Sequence, residues 1–422
     1  IRDRGHIEPG PEAGGVLMVS VRERVREGRR QLLSLGYPAS EVEQMLDEEV
    51  LAELAVLEAI RKAGITDEDV EAFRATSGSL IVDIFEDPYS GLDIGLDYDW
   101  VTKGHVFVCG QTRSGKSTWI LSFIIRALED GARQGTEPKF VVFDRMGEYG
   151  PPLKALAEER GYAIEVVDYR YLMSVKDLDE RALATMFGLN PRRKSGEALA
   201  KALMEALEKG EELRPETLIS RALEHVSRDK ARIEREIEGA LLANRDTLDR
   251  LREMAERERP GIDELLEDRA VLCVDFSTDI NIPEQQAFLA GILDEEYACA
   301  VRGRGDDFTC VNVIEEAMFY APEEKVAPRF GNPSLCSGKL VGCVSQLGGF
   351  NVGFILCSQR PAYVAKSVIS QCNTIVCFRM KMKADHEQIA SVTGYPARRI
   401  AELVSNLPDH RALLIGPASP LP

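Results

Sequence analysis

The stretch CGQTRSGKST, residues 109–118, decides the fold of this 422-residue chain. It contains the pattern Gly-x4-Gly-Lys-Ser, which begins at Gly110, follows the apolar run HVFVC (105–109) and precedes the helical pattern STWILSFIIRAL (117–128). Glycines let backbone N–H groups approach an anion without a Cβ atom in the way, and the N-terminus of a helix attracts negative charge. The stretch therefore predicts a phosphate-binding loop between a strand and a helix.

Residues of this loop are candidates for binding a nucleotide and Mg²⁺. Lys116 is expected to reach the β- and γ-phosphates of ATP, and the hydroxyl of Ser117 is expected to bind Mg²⁺. The other candidate nucleotide-binding residues are Gly110, Thr112, Arg113, Ser114, Gly115 and Thr118. Switches, kinases and motors share such a loop, so it predicts nucleotide binding without saying what the nucleotide is used for.

Short apolar runs rich in Val, Ile, Phe and Cys recur after residue 79 and alternate with helical patterns. Their apolarity is continuous, which is typical of parallel strands that helices bury on both faces. The predicted fold is therefore α/β with a mainly parallel central sheet. The runs are HVFVCG (105–110), FVVFD (140–144), IEVVDY (164–169), AVLCVDF (270–276), CVNVIEE (310–316), GFILCSQ (353–359), TIVCFR (374–379) and ALLIG (412–416).

Composition divides the chain into further segments. Residues 1–17 precede the first methionine and are predicted to be disordered or vector-derived, and residues 18–78 are predicted to form an acidic helical module. No strand pattern occurs between residues 177 and 268, which predicts a helical insertion within the α/β core. The core then consists of residues 79–176 and 269–422.

Helical spacing of apolar residues predicts two longer helices in these segments. One begins near Ser40, where Ser40 and Glu43 form a possible capping box, and ends at Gly64; a short helix follows Thr66. The longest helix is predicted at about residues 229–256. The apolar residues along its buried side are Ile233, Ile237, Leu241, Leu248, Leu251 and Met254.

The net charge of −18 is unfavourable for a protein that binds nucleic acid. Residues 41–100 contain 17 acidic and 3 basic side chains, so most of the excess acidity belongs to one segment and a basic surface elsewhere remains compatible with the sequence. No apolar run reaches the roughly 18 residues of a membrane span, and the N-terminus lacks a signal peptide pattern. The 9 cysteines form no Cys-x-x-Cys pair, which disfavours a zinc site and favours a cytoplasmic location.

Two stretches place carboxylates or an amide where a predicted strand ends. In CVNVIEEA (310–317), Glu315 is the candidate for the Mg²⁺ shell and Glu316 is the candidate base that polarises the attacking water. In GFILCSQRP (353–361), Gln359 is the candidate sensor of the γ-phosphate. Acidic residues often follow buried strands, and an amide often caps a strand, so neither stretch alone indicates a functional site. The functional interpretation of both depends on the presence of the phosphate-binding loop.

A third strand end carries Asp144, in FVVFDRMGEYG (140–150). Its carboxylate is a candidate acidic group beside the nucleotide. The alternative is a structural turn, for which Gly147 and Gly150 are well suited.

These motifs, taken together and in this order, resemble the HerA/FtsK group of P-loop motors and are closest to the HerA-type DNA translocases. The resemblance covers residues 92–174 and 270–416, and His105 and the stretch LPDHRALLIG (407–416) also match in place. The stretches that carry it are GQTRSGKST (110–118), VVFDRMGEY (141–149), VIEEA (313–317), ILCSQRP (355–361) and VISQCNTIVCFRM (368–380).

The resemblance implies a RecA-like ATPase core that uses ATP and Mg²⁺ and assembles with itself into a ring, usually a hexamer. Such a ring moves double-stranded DNA through a central pore. The residues that the resemblance makes catalytic are Lys116, Glu316, Gln359 and Asp144.

This chain departs from the family pattern in two main places. HerA proteins carry arginines that reach the neighbouring subunit's site, but the matching stretch VSQLGGFNVGF (344–354) has none. A trans-acting arginine would then be Arg360, Arg145 or Arg113. The acidic helical module also stands where HerA proteins commonly have a small β-barrel, so it is a possible docking site for a protein partner; a membrane partner is possible but not encoded in this chain.

The leading functional hypothesis is an ATP-dependent translocase of double-stranded DNA, acting in DNA transfer or import, or in repair. The alternative is a regulatory or scaffolding ATPase that moves no DNA, which the acidity and the missing arginines favour. A small-molecule kinase fits the motifs poorly. Two basic clusters are candidate DNA contacts, although both also fit a solvated surface: Arg192, Arg193 and Lys194 in one, and Arg379, Lys381 and Lys383 in the other.

Overall fold

The computed structural model describes most of the residues of the chain. They are residues 21–34, 39–51, 54, 70, 80–86, 92–175, 178–255, 260–278, 281–303, 308–330 and 334–418. The chain forms two compact units, one made of Ile1–Gly64 with Pro88–Gly91 and the other of Ile65–Asp87 with Leu92–Pro422.

The smaller unit contains helices α1 (Val21–Ser34) and α2 (Ala39–Gln44). Arg29 on α1 donates to the backbone carbonyls of Val42 and Met45. These contacts satisfy carbonyl groups at the break after α2, before the chain becomes helical again at residues 47–51. The prediction of one continuous helix from Ser40 is therefore wrong, because α2 ends at Gln44. The remaining part of that prediction from residue 55 onward, and the helix after Thr66, lie outside the described residues.

The larger unit contains an eight-stranded sheet in the order β10-β9-β3-β8-β7-β4-β6-β5. All neighbouring pairs are parallel except β9 and β10. Each of the eight apolar runs forms one of these strands, so the predicted α/β fold with a mainly parallel sheet is confirmed. The strands are β3 (Val106–Cys109), β4 (Phe140–Asp144), β5 (Ile164–Asp168), β6 (Val271–Asp275), β7 (Cys310–Ile314), β8 (Val352–Ser358), β9 (Thr374–Phe378) and β10 (Ala412–Ile415).

The two faces of this sheet belong to two hydrophobic clusters, because successive side chains of a strand point to opposite faces. On β3, Val106 and Val108 join one cluster, whereas Phe107 and Cys109 join the other. Both faces are covered, so the strands read as continuous apolar runs in the sequence. All nine cysteines are free thiols in buried positions, as expected for small apolar side chains.

Helices cover both faces of the sheet. The helices of the larger unit are α3 (Tyr98–Gly104), α4 (Lys116–Gln134), α5 (Gly150–Arg160), α6 (Tyr169–Leu172), α7 (Glu180–Met186), α8 (Lys194–Glu208), α9 (Pro215–Glu224), α10 (Lys230–Ala243), α11 (Arg245–Ala255), α12 (Ile262–Glu267), α13 (Ile282–Arg302), α14 (Ser334–Gln346), α15 (Lys366–Ile369), α16 (Lys383–Thr393) and α17 (Ala397–Val404). Within the described residues, no helix is both long enough and apolar enough to span a bilayer.

A separate two-stranded antiparallel sheet precedes the larger one and was not predicted. Its strands are β1 (Ile81–Glu86) and β2 (Asp93–Asp97). The sequence DIGLD of β2 has few residues that favour strands, which explains why the pattern is weak. A Cβ atom on Gly95 would lie only 2.2 Å from Ile81, so the close pairing of the two strands requires glycine there.

The described residues between 178 and 267 are helical and contribute no strand to the sheet. The prediction of one long helix at 229–256 is wrong, because Asn244 separates α10 from α11. Its backbone leaves the helical region (φ −124°, ψ 44°), and its side-chain amide donates to the carbonyls of Ala240 (2.8 Å) and Phe187 (3.3 Å). The apolar stripe continues across this break, so periodicity alone does not reveal it.

Candidate functional site

The phosphate-binding loop, Gly110–Ser117 (the P-loop), connects β3 to α4 as the sequence predicts. Gly110 and Gly115 have φ values of +153° and +112°, in the region that glycine adopts easily. A Cβ atom on Gly110 would lie 2.6 Å from Phe378, so the tight packing also excludes a side chain there. The two glycines therefore keep the loop narrow and its backbone accessible to an anion.

Lys116 and the polar side chains of the P-loop surround its interior. Lys116 is buried, and its Nζ donates to the carbonyl of Gln111 at 3.1 Å. Ser114 donates its hydroxyl to the same carbonyl at 2.8 Å. The ammonium group thus lies folded over the loop, close to where phosphate oxygens would bind, while the side chains of Arg113 and Thr118 are exposed.

The strand order brings Gln359 and Glu316 to the P-loop. Strand β8 lies between β3 and β7, so the residues after these three parallel strands meet at one edge of the sheet. Thr112 donates its hydroxyl to the Gln359 amide oxygen (2.6 Å), and the Gln359 backbone N–H donates to the Glu316 carboxylate (3.3 Å). A chain of hydrogen bonds therefore connects three motifs that are far apart in sequence.

Glu316 occupies a constrained position at the end of β7. Its φ of +51° is uncommon for a residue other than glycine, and such conformations concentrate at functional sites. Burial raises the pKa of Glu316, while the Gln359 N–H and the positive charges of Lys116 and Arg145 act in the opposite direction. Burial outweighs these effects, so the pKa of Glu316 lies above its ordinary value, and a raised pKa makes the carboxylate the stronger proton acceptor that a general base requires.

Glu315 lies beside three other carboxylates. The Met146 N–H donates to it at 2.8 Å. Burial is the main reason that the pKa of Glu315 rises to about 8, and the neighbouring charges of Asp144, Glu148 and Glu316 contribute to this rise. Hard oxygen donors with excess negative charge are suited to Mg²⁺, so Glu315 and the Ser117 hydroxyl fit the chemistry of a magnesium site.

Asp144 is fully buried and accepts three backbone hydrogen bonds. They come from Glu148 (3.0 Å), Tyr149 (3.0 Å) and Gly150 (2.8 Å), at the start of α5. Burial raises the pKa of Asp144, and these three hydrogen bonds oppose that effect. The carboxylate therefore holds the turn that follows β4, next to Glu315, and its oxygens are already engaged with the backbone.

Two of the three candidate arginines are held by groups of the same chain. The Arg145 guanidinium lies 3.8 Å from the centre of the Phe319 ring and donates to Gln285. Arg360 forms an ion pair with Asp385 at 3.1 Å. Arg113 differs from both, because its side chain is exposed at the P-loop.

The other flank of the P-loop, which faces β9, was missed by the sequence analysis as a site element. The Gln111 N–H donates to the carbonyl of Arg379 (2.8 Å), and the His410 N–H donates to the carbonyl of Ser114 (3.0 Å). Arg379 also forms an ion pair with Asp409. The only sequence signal was that LPDHRALLIG matches the family in place.

The structure separates the candidate DNA-contacting residues into two classes. Arg192, Arg193 and Lys194 are exposed where α8 begins, and Lys381 and Lys383 are exposed after β9. Arg379 is instead committed to Asp409 and to the carbonyl of Leu407 (3.1 Å). It therefore supports the P-loop flank, and its charge is largely neutralised.

A metal site made of protein side chains alone is absent from the part of the chain that the structure describes. No three or more His, Cys, Asp or Glu side chains are grouped there as a protein-only metal site. This result is compatible with a Mg²⁺ ion that is bound mainly through nucleotide phosphates and one or two protein groups.

Comparison with known proteins identifies a family for this chain. Residues 78–295 match the family model described as "Helicase HerA, central domain". No curated protein sequence matches the chain significantly.

Solved structures share its fold at low sequence identity. The bacterial conjugative coupling protein TrwB, in complex with the GTP analogue GDPNP, has a TM-score of 0.56 at 12% identity, covering 84% of this chain and 90% of that chain. TrwB in complex with ADP and Mg²⁺ also has a TM-score of 0.56 at 12% identity, covering 83% and 90%. At this identity the likeness shows the fold alone, a RecA-like P-loop core.

Proposed function

The chain belongs to the family of the HerA helicase central domain, and from this premise we propose that it is an ATP-hydrolysing ring motor that moves double-stranded DNA. The observation that carries the proposal is the hydrogen-bonded connection from Thr112 through Gln359 to Glu316. It joins the phosphate-binding loop to a candidate base through Gln359, whose side-chain amide oxygen accepts from Thr112 and whose backbone N–H donates to Glu316. A motor needs such a connection, because it must couple the state of the γ-phosphate to the positions of its strands.

The chemistry assigned to the site is hydrolysis of ATP. The P-loop backbone and Lys116 bind the phosphates. Ser117 and Glu315 would hold Mg²⁺, and the ion would neutralise charge on the phosphates. Glu316 accepts the proton of the attacking water, and Gln359 orients it. Asp144 acts on this site by holding the turn that places Glu315. The nucleotide and Mg²⁺ complexes of TrwB, which has the same fold, support ATP and Mg²⁺ as cofactors.

Assembly into a ring, most simply a hexamer, is proposed from the family. An arginine from a neighbouring subunit stabilises transition-state charge in many such enzymes. Arg145 and Arg360 are engaged within their own chain, so Arg113 is the most available of the three candidates. The acidic N-terminal module is proposed as a docking site for a protein partner. The proposed biological role of the motor is DNA transfer, import or repair in the cytoplasm.

DNA binding by this acidic protein is proposed to rest on the exposed cluster Arg192, Arg193 and Lys194, with Lys381 and Lys383 as a second contact. Phosphate contacts release counterions, so the affinity for DNA should fall steeply with salt. Only the surface that lines a pore needs to be basic, and the net charge of −18 is therefore no obstacle.

The test is the ATPase rate of the assembled oligomer with and without duplex DNA, at several salt concentrations. Replacing Arg192, Arg193 and Lys194 with alanine should reduce the stimulation by DNA and flatten the salt dependence of binding, while basal hydrolysis stays unchanged. The matched control removes three exposed charges from the same helical segment: Arg228, Arg232 and Arg235 replaced by alanine.

The second candidate function is a regulatory or scaffolding ATPase. The contacts that hold Arg145 and Arg360 within their own chain favour it, because they leave few arginines for trans-activation. This candidate predicts nucleotide hydrolysis that duplex DNA leaves unaffected, with no DNA binding at low salt. That outcome would reject the translocase proposal and leave the ATPase proposal intact. An image of the particle that lacks a ring with a duplex-wide pore would reject it as well.

A further inference from the structure

The segment between α17 and β10, Leu407–Arg411 (the C-terminal loop), lies against the P-loop. The His410 N–H donates to the carbonyl of Ser114 at 3.0 Å. Arg379 contacts this loop at two points: its guanidinium donates to the carbonyl of Leu407 and forms an ion pair with the Asp409 carboxylate. The C-terminal loop is therefore held in place beside the P-loop from several directions.

His410 contacts the P-loop where α4 begins. Its Nδ1 and Cα atoms lie 3.0 Å and 3.2 Å from the point that a Cβ atom on Gly115 would occupy. The imidazole is exposed to solvent. The lack of a side chain on Gly115 thus allows an exposed ring to lie directly beside the backbone of the phosphate-binding loop.

The backbone of His410 is also unusual. Its φ of +62° lies in the left-handed region, which is unfavourable for a residue with a Cβ atom. Glycine would adopt this conformation freely. The C-terminal loop therefore carries the His410 side chain at a position where the backbone conformation favours glycine.

A nucleotide bound by the P-loop needs a partner for its nucleoside. The loop backbone cradles the phosphates, so the ribose and base extend outside it and expose the faces of the base. Phe378 also reaches the Gly115 region, at 3.3 Å, but it is buried. Of the two aromatic side chains that lie nearest to the Gly115 Cβ position, His410 is therefore the one whose ring is exposed to solvent.

We propose that the His410 imidazole packs against the nucleoside of the bound nucleotide and makes the C-terminal loop the base-side wall of the site. The ligand class is a purine nucleoside triphosphate, because a purine offers the larger face for stacking. This inference rests on the proposed nucleotide binding and adds a binding residue to it. His410 has no part in holding the phosphates, which the P-loop backbone and Lys116 bind.

The test compares two ligands with Mg²⁺ present: a non-hydrolysable ATP analogue, and inorganic tripolyphosphate, which has no nucleoside. Calorimetric titration should show that His410→Ala weakens the ATP analogue about tenfold, the usual size of one base-stacking contact. Tripolyphosphate, measured by competition, should bind the variant as it binds the wild-type protein. His410→Phe should restore affinity for the ATP analogue, because phenylalanine keeps an aromatic face.

His410→Gly separates the side chain from the backbone. It should lose the same affinity for the ATP analogue as His410→Ala, yet raise the melting temperature because glycine adopts the left-handed conformation without strain. Melting curves of all three variants also show whether each one folds.

Two results would overturn the inference. If His410→Ala weakens tripolyphosphate and the ATP analogue equally, His410 shapes the P-loop rather than binding the nucleoside. If neither ligand is affected, His410 does not reach the nucleotide. Failure of the proposed function looks different: the wild-type protein would bind neither ligand, and Lys116→Ala would change nothing.

Discussion

On the flank that faces β8, the P-loop contacts polar side chains, whereas on the flank that faces β9 it contacts mainly backbone groups. Thr112 bonds to the Gln359 side chain on the first flank. On the second, Gln111 and Ser114 pair with the carbonyl of Arg379 and the N–H of His410. Side-chain contacts can change with the ligand, but backbone contacts fix position. The first flank is thus suited to chemistry and the second to support.

Replacement of Lys116, which lies between the two flanks, should have the largest effect on nucleotide binding and ATP turnover. Lys116→Ala removes the charge that faces the β- and γ-phosphates, so both nucleotide binding and ATP turnover should fall to background. Calorimetric titration and a phosphate-release assay measure the two quantities. A variant that still binds ATP with wild-type affinity would contradict the assignment of the P-loop as the phosphate site.

Glu316→Gln should separate binding from hydrolysis on the β8 flank. The amide preserves the size of the side chain but cannot accept the proton, so turnover should fall about 100-fold or more while affinity for ATP is retained. The control is Glu324→Gln, which neutralises an exposed carboxylate outside the site. Turnover at the wild-type rate in Glu316→Gln would show that the base lies elsewhere.

The opposite end of β3 gives a pH-dependent prediction. His105 is buried, accepts a hydrogen bond from the Phe354 N–H (3.2 Å) and contacts the carbonyl of Val344 (2.8 Å). Burial lowers the pKa of His105 from 6.5 to about 4. Because the unfolded chain takes up the proton first, stability is full above about pH 6.5 and is lost as the pH falls towards 4, by roughly 3 kcal/mol.

Denaturant unfolding of the wild-type protein and of His105→Gln between pH 7 and pH 4 measures this loss. The comparison uses the slope of stability with pH, so a general destabilisation of the variant does not matter. An identical slope in both proteins would contradict a neutral buried His105.

Gln359→Ala should reduce the coupling between the P-loop and Glu316 without removing either. Turnover should fall about tenfold with little change in affinity for ATP, since one orienting hydrogen-bond group is lost. Thr112→Val removes the partner hydroxyl and should produce a smaller decrease. If Gln359→Ala weakened ATP binding and left turnover of the bound nucleotide unchanged, Gln359 would be a binding residue rather than a sensor.

Asp409→Asn should have the smallest effect, on the β9 flank. The ion pair with Arg379 is partly exposed, and such pairs contribute about 0–1 kcal/mol. The melting temperature should therefore decrease slightly, and the two backbone hydrogen bonds should keep ATP turnover near the wild-type rate. A large loss of turnover would show that this flank takes part in the chemistry and that the contrast between the flanks is wrong.

The sequence by itself determined the local elements of the core. The eight strands and the P-loop were predictable because burial on both faces leaves continuous apolar runs, and because a tight phosphate loop needs glycine at defined spacings. The roles of Lys116, Glu316 and Gln359 remain predictions that rest on the same local motifs. The break at Asn244 and the strand DIGLD were missed, since neither disturbs the hydrophobic pattern that the prediction used.

Only the tertiary structure decided how these elements meet. Strand order depends on hydrogen bonds between residues that are distant in sequence, and it is this order that inserts β8 between β3 and β7 and so joins Gln359 to Glu316. The same long-range pairing of β9 and β10 brings His410 to Gly115. A local pattern records which residues are buried, but it does not record their partners, because pairing energy arises only when the whole sheet has formed.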